Sequence, residues 1–398
     1  MTNLPQGWEV KKLEEIANIK GGKRLPKGEN LLDNNTKFAY IRVADFQDNG
    51  TINLQNIKFI NENTYNVLKN YKIYDDNLYI SIAETIGKSG IIPKELNGAI
   101  LTENAVKLEY IQNNISNKFM YFFTLSNIFK TQIQTSTKIV AQPKLAITRL
   151  KQIQIPLPPL KEQERIVGIL DESFAKIDES IKILEQNLLN LDELMQSALQ
   201  KAFNPLKDNA KENYKLPQSW EWKSLEEISE NISAGGDKPK NCTESKTAKN
   251  QIPVYANGVN NNGLVGYTDK ATIIKPSLTI SARGTIGFVC IRKEPYFPIV
   301  RLISLIPCEN ILCLHYLYFC LNFFIAKGEG SSIPQLTIPK FKSLQIPLPP
   351  LKEQEQIAEH LDFVFEKAKA LKELYTKELK DYEELKQSLL DKAFKGEL

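Results

Sequence analysis

Two long stretches of this chain place apolar residues at steps of four and three, alternating in the first after an initial step of four. Within residues 156–204 they are Ile166, Leu170, Phe174, Ile177, Ile181, Leu184, Leu188 and Leu191, continued by Met195, Ala198 and Ala202. Within residues 347–398 the stripe runs through Ile357, Leu361, Val364, Ala368, Leu371 and Tyr375, slips near Leu379, and resumes toward Leu389 and Ala393. This spacing predicts two long helices bearing the seam of a coiled coil. Pro158-Pro159 and Pro349-Pro350 hold an extended lead-in before each first turn. Glu162, Glu164, Glu353 and Glu355 set negative charge against the positive end of each helix dipole. Asn204-Pro205 stops the first helix, and Gly396 can cap the second. About 43 residues lie between those signals, which predicts a rod of about 64 Å at 1.5 Å per residue.

The rest of the chain mixes β-rich runs, such as "YDDNLYISIAE" and "SLTISARGTIGFVCI", with short helical runs, such as "NKFMYFFTLSNIFKTQI" and "LCLHYLYFCLNFFIAK". That mixture predicts compact α+β domains. Four segments are expected: a globular domain over 1–155, a helical spacer over 156–204, a second globular domain over 205–346 and a second spacer over 347–398.

The segments form a tandem repeat. "LPQGWEVKKLEEI" (4–16) returns as "LPQSWEWKSLEEI" (216–228), and "ISIAETIG" (80–87) returns as "ISARGTIG" (280–287). "IPLPPLKEQE" occurs at 155–164 and again at 346–355. "SALQKAF" (197–203) and "SLLDKAF" (388–394) close the two helical segments, which match without a gained or lost residue, whereas the globular blocks differ in length. A helix with one apolar stripe must bury it, and the matching partner here is the other copy. The expected fold class is therefore α+β: two globular α+β domains separated by two long helices in an antiparallel coiled coil, with a pseudo-two-fold internal repeat. Trp8 and its repeat Trp220, with Trp222 beside the latter, are expected to pack inside.

Charge sharpens the division. The net charge of +4 resolves into +6, −4, +5 and −3 for the four segments in order. Each globular block is basic and could face a polyanion, while each spacer is acidic. No apolar run of about 18 residues predicts a membrane span, and "MTNLPQGWEV" carries no secretory pattern. Five cysteines, all in the second half and without a CxxC pair, read as reduced thiols of a cytoplasmic protein.

Candidate contacts to a phosphate backbone or base edges lie on four repeated stretches. "KGGKRLPKG" offers Lys20, Lys23, Arg24 and Lys27 on a glycine-rich loop whose amides also suit phosphate. Its counterpart "SAGGDKPK" offers Lys238 and Lys240. "ETIGKSG" offers Lys88, set against Arg283 of "SARGTIG". "TSTKIVAQPK" carries Lys138, Gln142 and Lys144, opposite Gln335 of "GSSIPQLT". Arginine and glutamine are shaped for bidentate contacts with guanine and adenine. "IGKSG" lacks the first glycine of a phosphate-binding loop, with Ile82 in its place, and no NPP[YF] signature occurs. His315 and His360 lack partners at triad or metal spacing and are read as structural. No catalytic residue and no metal site is expected.

The combination of "QPKLA", "IPLPPLKEQERI" and a long heptad segment, each with its repeat, resembles the specificity subunits of type I restriction–modification systems along nearly the whole chain. The resemblance implies two target recognition domains, each reading one half of a split, asymmetric sequence in double-stranded DNA. It implies helices that set the gap and dock two methyltransferase subunits, with two ATP-dependent, translocating endonuclease subunits completing the complex. S-adenosylmethionine, ATP and Mg would then belong to those partners, and no cofactor to this chain. Half-site centres about one helical turn apart on one face of the duplex are expected. The competing readings are a scaffold whose domains bind proteins and a diverged nuclease or methyltransferase.

Overall fold

The repeated decapeptide folds as a strand, a proline hinge and a helix start. Gln154–Leu157 pairs antiparallel with Glu9–Lys12, setting Glu9 opposite Leu157. Gln345–Leu348 pairs the same way with Glu221–Ser224, setting Glu221 opposite Leu348. The two motifs that open and close each globular block are thus the two strands of one ribbon. After each ribbon the chain enters a helix, Leu160–Phe203 of 44 residues or Leu351–Lys395 of 45 residues. The carbonyl of Pro159 accepts from the amides of Glu162 and Gln163, and that of Pro350 from Glu353 and Gln354.

The computed structural model describes residues 4–136, 144–203, 217–325 and 336–398. The chain divides into two units, Met1–Leu184 with Lys377–Leu398, and Glu185–Thr376. In the first unit a four-stranded antiparallel sheet runs in the order Ala17–Gly21, Ala105–Tyr110, Leu78–Ser81, Ser89–Ile91. In the second unit the order Ser229–Ala234, Ile303–Pro307, Ser277–Ile280, Val289–Arg292 repeats that topology. Each unit adds a smaller sheet containing one parallel pair: Tyr40 beside Ile100, and Val254 beside Phe297. Helices Asn117–Leu125 and Leu314–Phe324 complete the two cores.

A buried glutamine ties each long helix to its domain. Gln163 donates to the carbonyls of Pro158 (2.9 Å) and Asn114 (3.1 Å) and accepts from the amide of Ser116 (2.8 Å). Gln354 donates to Pro349 (2.8 Å) and Ile311 (2.9 Å) and accepts from the Cys313 amide (2.9 Å). Both side chains are out of water, so the bonds have no solvent substitute. Replacing Gln354 by Leu should cost about 1–3 kcal/mol for the orphaned Cys313 amide alone, read as a lower denaturant midpoint.

The far end of each long helix plugs a core. In the first unit Phe394 packs on Phe119 and Phe123, with ring centroids 5.1 and 5.5 Å away. In the second, Phe203 packs on Tyr316, Phe323 and Phe324 at 5.5, 5.6 and 6.2 Å. The long helices run antiparallel within each unit. Arg165 meets the carbonyl of Leu398 (2.7 Å) and Asp178 pairs with Lys386 in the first; Asp192 pairs with Lys372 in the second.

Most of the expected seam is inside. Ile166, Leu170, Ile177, Leu184, Leu191 and Leu361 are buried, and Phe174, Ile181, Leu188, Ile357 and Leu389 are half-buried. Leu371 departs from the expectation, at 38% exposed. Its neighbour Lys372 pairs with Asp192 of the other long helix. Trp222 also departs, at 41% exposed: it lies on a two-stranded ribbon that covers one face only, and touches Phe324 edge-on. Val10, its counterpart, is equally exposed at 41%. His315 does find a carboxylate: its Nδ1 lies 2.6 Å from Asp362, joining Leu314–Phe324 to the second long helix. Lys118 and Asp171 make the equivalent link in the first unit at 2.6 Å.

Candidate nucleic-acid interface

Hydrogen bonds gather four loops in each unit, through backbone alone in the first and with the Asn257 side chain bridging two backbone-bonded pairs in the second. In the first, the amides of Gly22 and Lys23 donate to Ala105 and Leu101 (both 2.9 Å), that of Ile82 to Asn104 (2.8 Å) and that of Leu145 to Ile82 (2.8 Å). In the second, Gly235 donates to Leu302 (2.8 Å), Arg301 to Gly235 (2.9 Å) and Leu336 to Ala282 (3.0 Å). The glycine pair of each unit permits this approach. A Cβ on Gly22 would stand 2.1 Å from the carbonyl oxygen of Thr102, and one on Gly235 2.6 Å from the backbone nitrogen of Ile299. These amides are therefore committed to neighbouring strands and do not cradle phosphate as the glycine-rich sequence suggests.

The side chains take varied places. Arg24 is exposed and holds Glu103 through Nε at 2.6 Å. Burial pushes the Glu103 carboxyl up, but bonds from Arg24, its own backbone and Thr102 outweigh it and hold the group below the usual carboxylate range. Lys23 lies over the Tyr71 ring, 5.9 Å from its centre. Lys20 belongs to the strand Ala17–Gly21 and pairs with Glu109. Lys27 and Lys144 are exposed, Lys144 beside the bonded Leu145. Lys88 pairs with Asp48 at 2.7 Å. In the second unit Lys238, Lys240 and Arg283 are exposed. Lys138, Gln142 and Gln335 lie outside the described residues.

Lys88 and Arg283 share a turn but not a position. The amide of Gly87 closes on the Ser81 carbonyl (2.9 Å) and that of Gly287 on Ser281 (3.0 Å), so Arg283 stands where Ala83 does and Lys88 where Phe288 does. Sequence reasoning also passed over the turn that meets the glycine pair. In the first unit it presents Glu103 and Asn104, with Asn104 donating to Glu84 at 3.0 Å. In the second it presents Val300 and Arg301, both left-handed at φ 54° and 58°. These turns fall in stretches that the repeat does not align, so no motif marks them. A β-branched residue is strained at that φ, and Val300→Gly should raise stability by about 1 kcal/mol, visible as a higher midpoint of thermal unfolding.

No group of three His, Cys, Asp or Glu side chains among the described residues could hold a metal ion, and no helix among them is long and apolar enough to cross a membrane.

Comparison with known proteins matches this architecture. The type I restriction modification DNA specificity domain matches twice, over residues 5–189 and 217–380. A putative type I specificity subunit of Mycoplasma pneumoniae is 29% identical over 357 residues, covering 88% of this chain and 87% of that protein. A putative type I restriction enzyme specificity subunit of Methanocaldococcus jannaschii is 24% identical over 99% of this chain and 94% of its own length. Among solved structures, a chain from a study of complex assembly and conformational transition of the type I R-M system superposes with a TM-score of 0.82, at 20% identity and full coverage of both chains. The HsdS subunit of Thermoanaerobacter tengcongensis gives 0.61 at 21% identity, covering 100% of this chain and 98% of that one. The doubled ribbon, sheet and long helix, matched twice along the chain, show that this protein belongs to the family of type I restriction–modification specificity subunits.

Proposed function

We propose that the two units read the two halves of a bipartite, asymmetric DNA target, and that the long helices set the gap between the halves. One observation carries the reading: both units bring four corresponding loops together, the second using the Asn257 side chain where the first uses the Ile82–Asn104 backbone bond, and the loops carry different side chains. Like scaffolds with unlike side chains suit the reading of two different half-sites, with cations for phosphate and amide or guanidinium groups for base edges. Each long helix is anchored at its start by Gln163 or Gln354 and at its end by Phe203 or Phe394. An inserted residue would break one anchor, which supports a set span.

The exposed apolar side chains of the long helices, Ile183, Leu189 and Phe363 at 55%, 59% and 60%, support docking of methyltransferase subunits there, and of endonuclease subunits through them. S-adenosylmethionine, ATP and Mg are assigned to those partners. A methyltransferase partner would act on an adenine flipped out of the duplex, and this chain would supply recognition without a catalytic step.

Selection of the purified chain against a randomised duplex library tests the reading. A split consensus with a constant gap should emerge, and log affinity should fall linearly with log salt at about −0.9 per neutralised phosphate. A protein-binding scaffold would enrich no sequence.

A further inference from the structure

We propose that Arg301 is a base-reading residue of the second unit and selects guanine in its half of the target. This deepens the DNA-reading function proposed above and rests on it. The amide of Leu302 donates to the Ile299 carbonyl at 3.0 Å, closing a turn whose two central residues both have positive φ. Those are the φ signs of a type I′ turn, which ordinarily takes Asn-Gly. Val and Arg have no local preference for it, so the surroundings must impose it.

They do so from two sides. The amides of Val300 and Arg301 donate to Gly236 (2.8 Å) and Gly235 (2.9 Å). Asn257 donates from Nδ2 to the Val300 carbonyl (2.7 Å) and accepts at Oδ1 from the Ala282 amide (2.8 Å). That one side chain locks the turn to the loop carrying Arg283, and the Gly258 amide adds a bond to Ser281 Oγ (3.2 Å). On this fixed base the Arg301 side chain is exposed, with no hydrogen-bond or ion-pair partner among the described residues. Arginine's planar fork matches O6 and N7 of guanine, and a rigid mount reduces the ordering needed on contact.

The first unit gives the contrast. Gly22 meets Ala105 as Gly235 meets Leu302, so Asn104 occupies the place of Arg301. Its side chain is held by Glu84, and the neighbouring Glu103 by Arg24. One turn of the repeated scaffold thus carries an arginine in one unit and an asparagine in the other. That difference is the kind that makes two half-sites unlike, since asparagine suits adenine.

The test uses the full chain and a randomised duplex library. Arg301→Ala should lose a guanine preference at one position of one half-site, discrimination there falling by about five- to 150-fold, while every other selected base is kept. Arg301→Lys should retain overall affinity and its salt dependence but lose most of that discrimination. Asn257→Asp keeps the acceptor for Ala282 but removes the donor to Val300, and should relax the same position. Uniform weakening across all sequences with a shallower salt slope would make Arg301 a phosphate contact and overturn the assignment. A wild-type consensus left intact by Arg301→Ala would overturn it while sparing the DNA-reading function. Should the wild-type chain enrich no sequence, the function and this assignment fall together.

Discussion

Replacing Phe394 by alanine is expected to destabilise the first unit by about 3–5 kcal/mol. The ring is 1% exposed and fills the space between Phe119 and Phe123, and Phe123 in turn meets Phe129 edge-on at 5.4 Å. Truncation loses the transfer free energy of the ring and leaves a cavity that three phenylalanines cannot close without leaving their rotamers. A loss of that size approaches the whole stability of a marginal domain. Amide hydrogen exchange provides the reading, because it separates units that need not unfold together. Protection should fall over Asn117–Ser136 and remain over Leu314–Phe324. Phe203→Ala should produce the reverse. Leu385→Ala, at a side chain 45% exposed, should change stability by about 0.5 kcal/mol or less. Equal loss of protection in both regions from Phe394→Ala would contradict the assignment of each helix end to one core.

The second expectation concerns the proposed gap. Removing one heptad from the middle of both long helices shortens each by about 10 Å, and seven residues return the apolar stripe to within about 20° of its original face. Both anchors of each helix survive the deletion. On the proposed reading, the constant gap in the selected DNA should contract by about three base pairs at 3.4 Å of rise. Affinity should also fall, because three base pairs turn the half-sites by about 100° around the duplex. The bases selected within each half should not change. A gap of unaltered length would remove the helices from any part in spacing.

Different features of the protein were legible to different degrees. The long helices could be read because their period is local: each seam residue predicts the next three or four positions along. The same logic misplaced Leu371, which the spacing puts in the stripe but the fold leaves 38% exposed. Trp222 looked like a core residue by its identity, yet its two-stranded ribbon has only one covered face. The glycine pairs were conspicuous, but their reason was hidden. They admit a strand from about 80 residues away in one unit and about 65 in the other, a contact with no local spacing to betray it. Arg301 was invisible for the same cause: its importance lies in a turn assembled from Gly235, Asn257 and Ala282.

By itself the sequence determined what depends on neighbours along the chain: two long helices of matched length, two basic α+β blocks, and the repeat that led to the family. Only the tertiary structure decided how strands far apart meet, why Gln163 and Gln354 are buried, and which loops share a surface. Helical periodicity is written at intervals of three and four residues. Loop clusters and buried polar anchors arise from hydrogen bonds between segments whose separation in sequence carries no record of their contact.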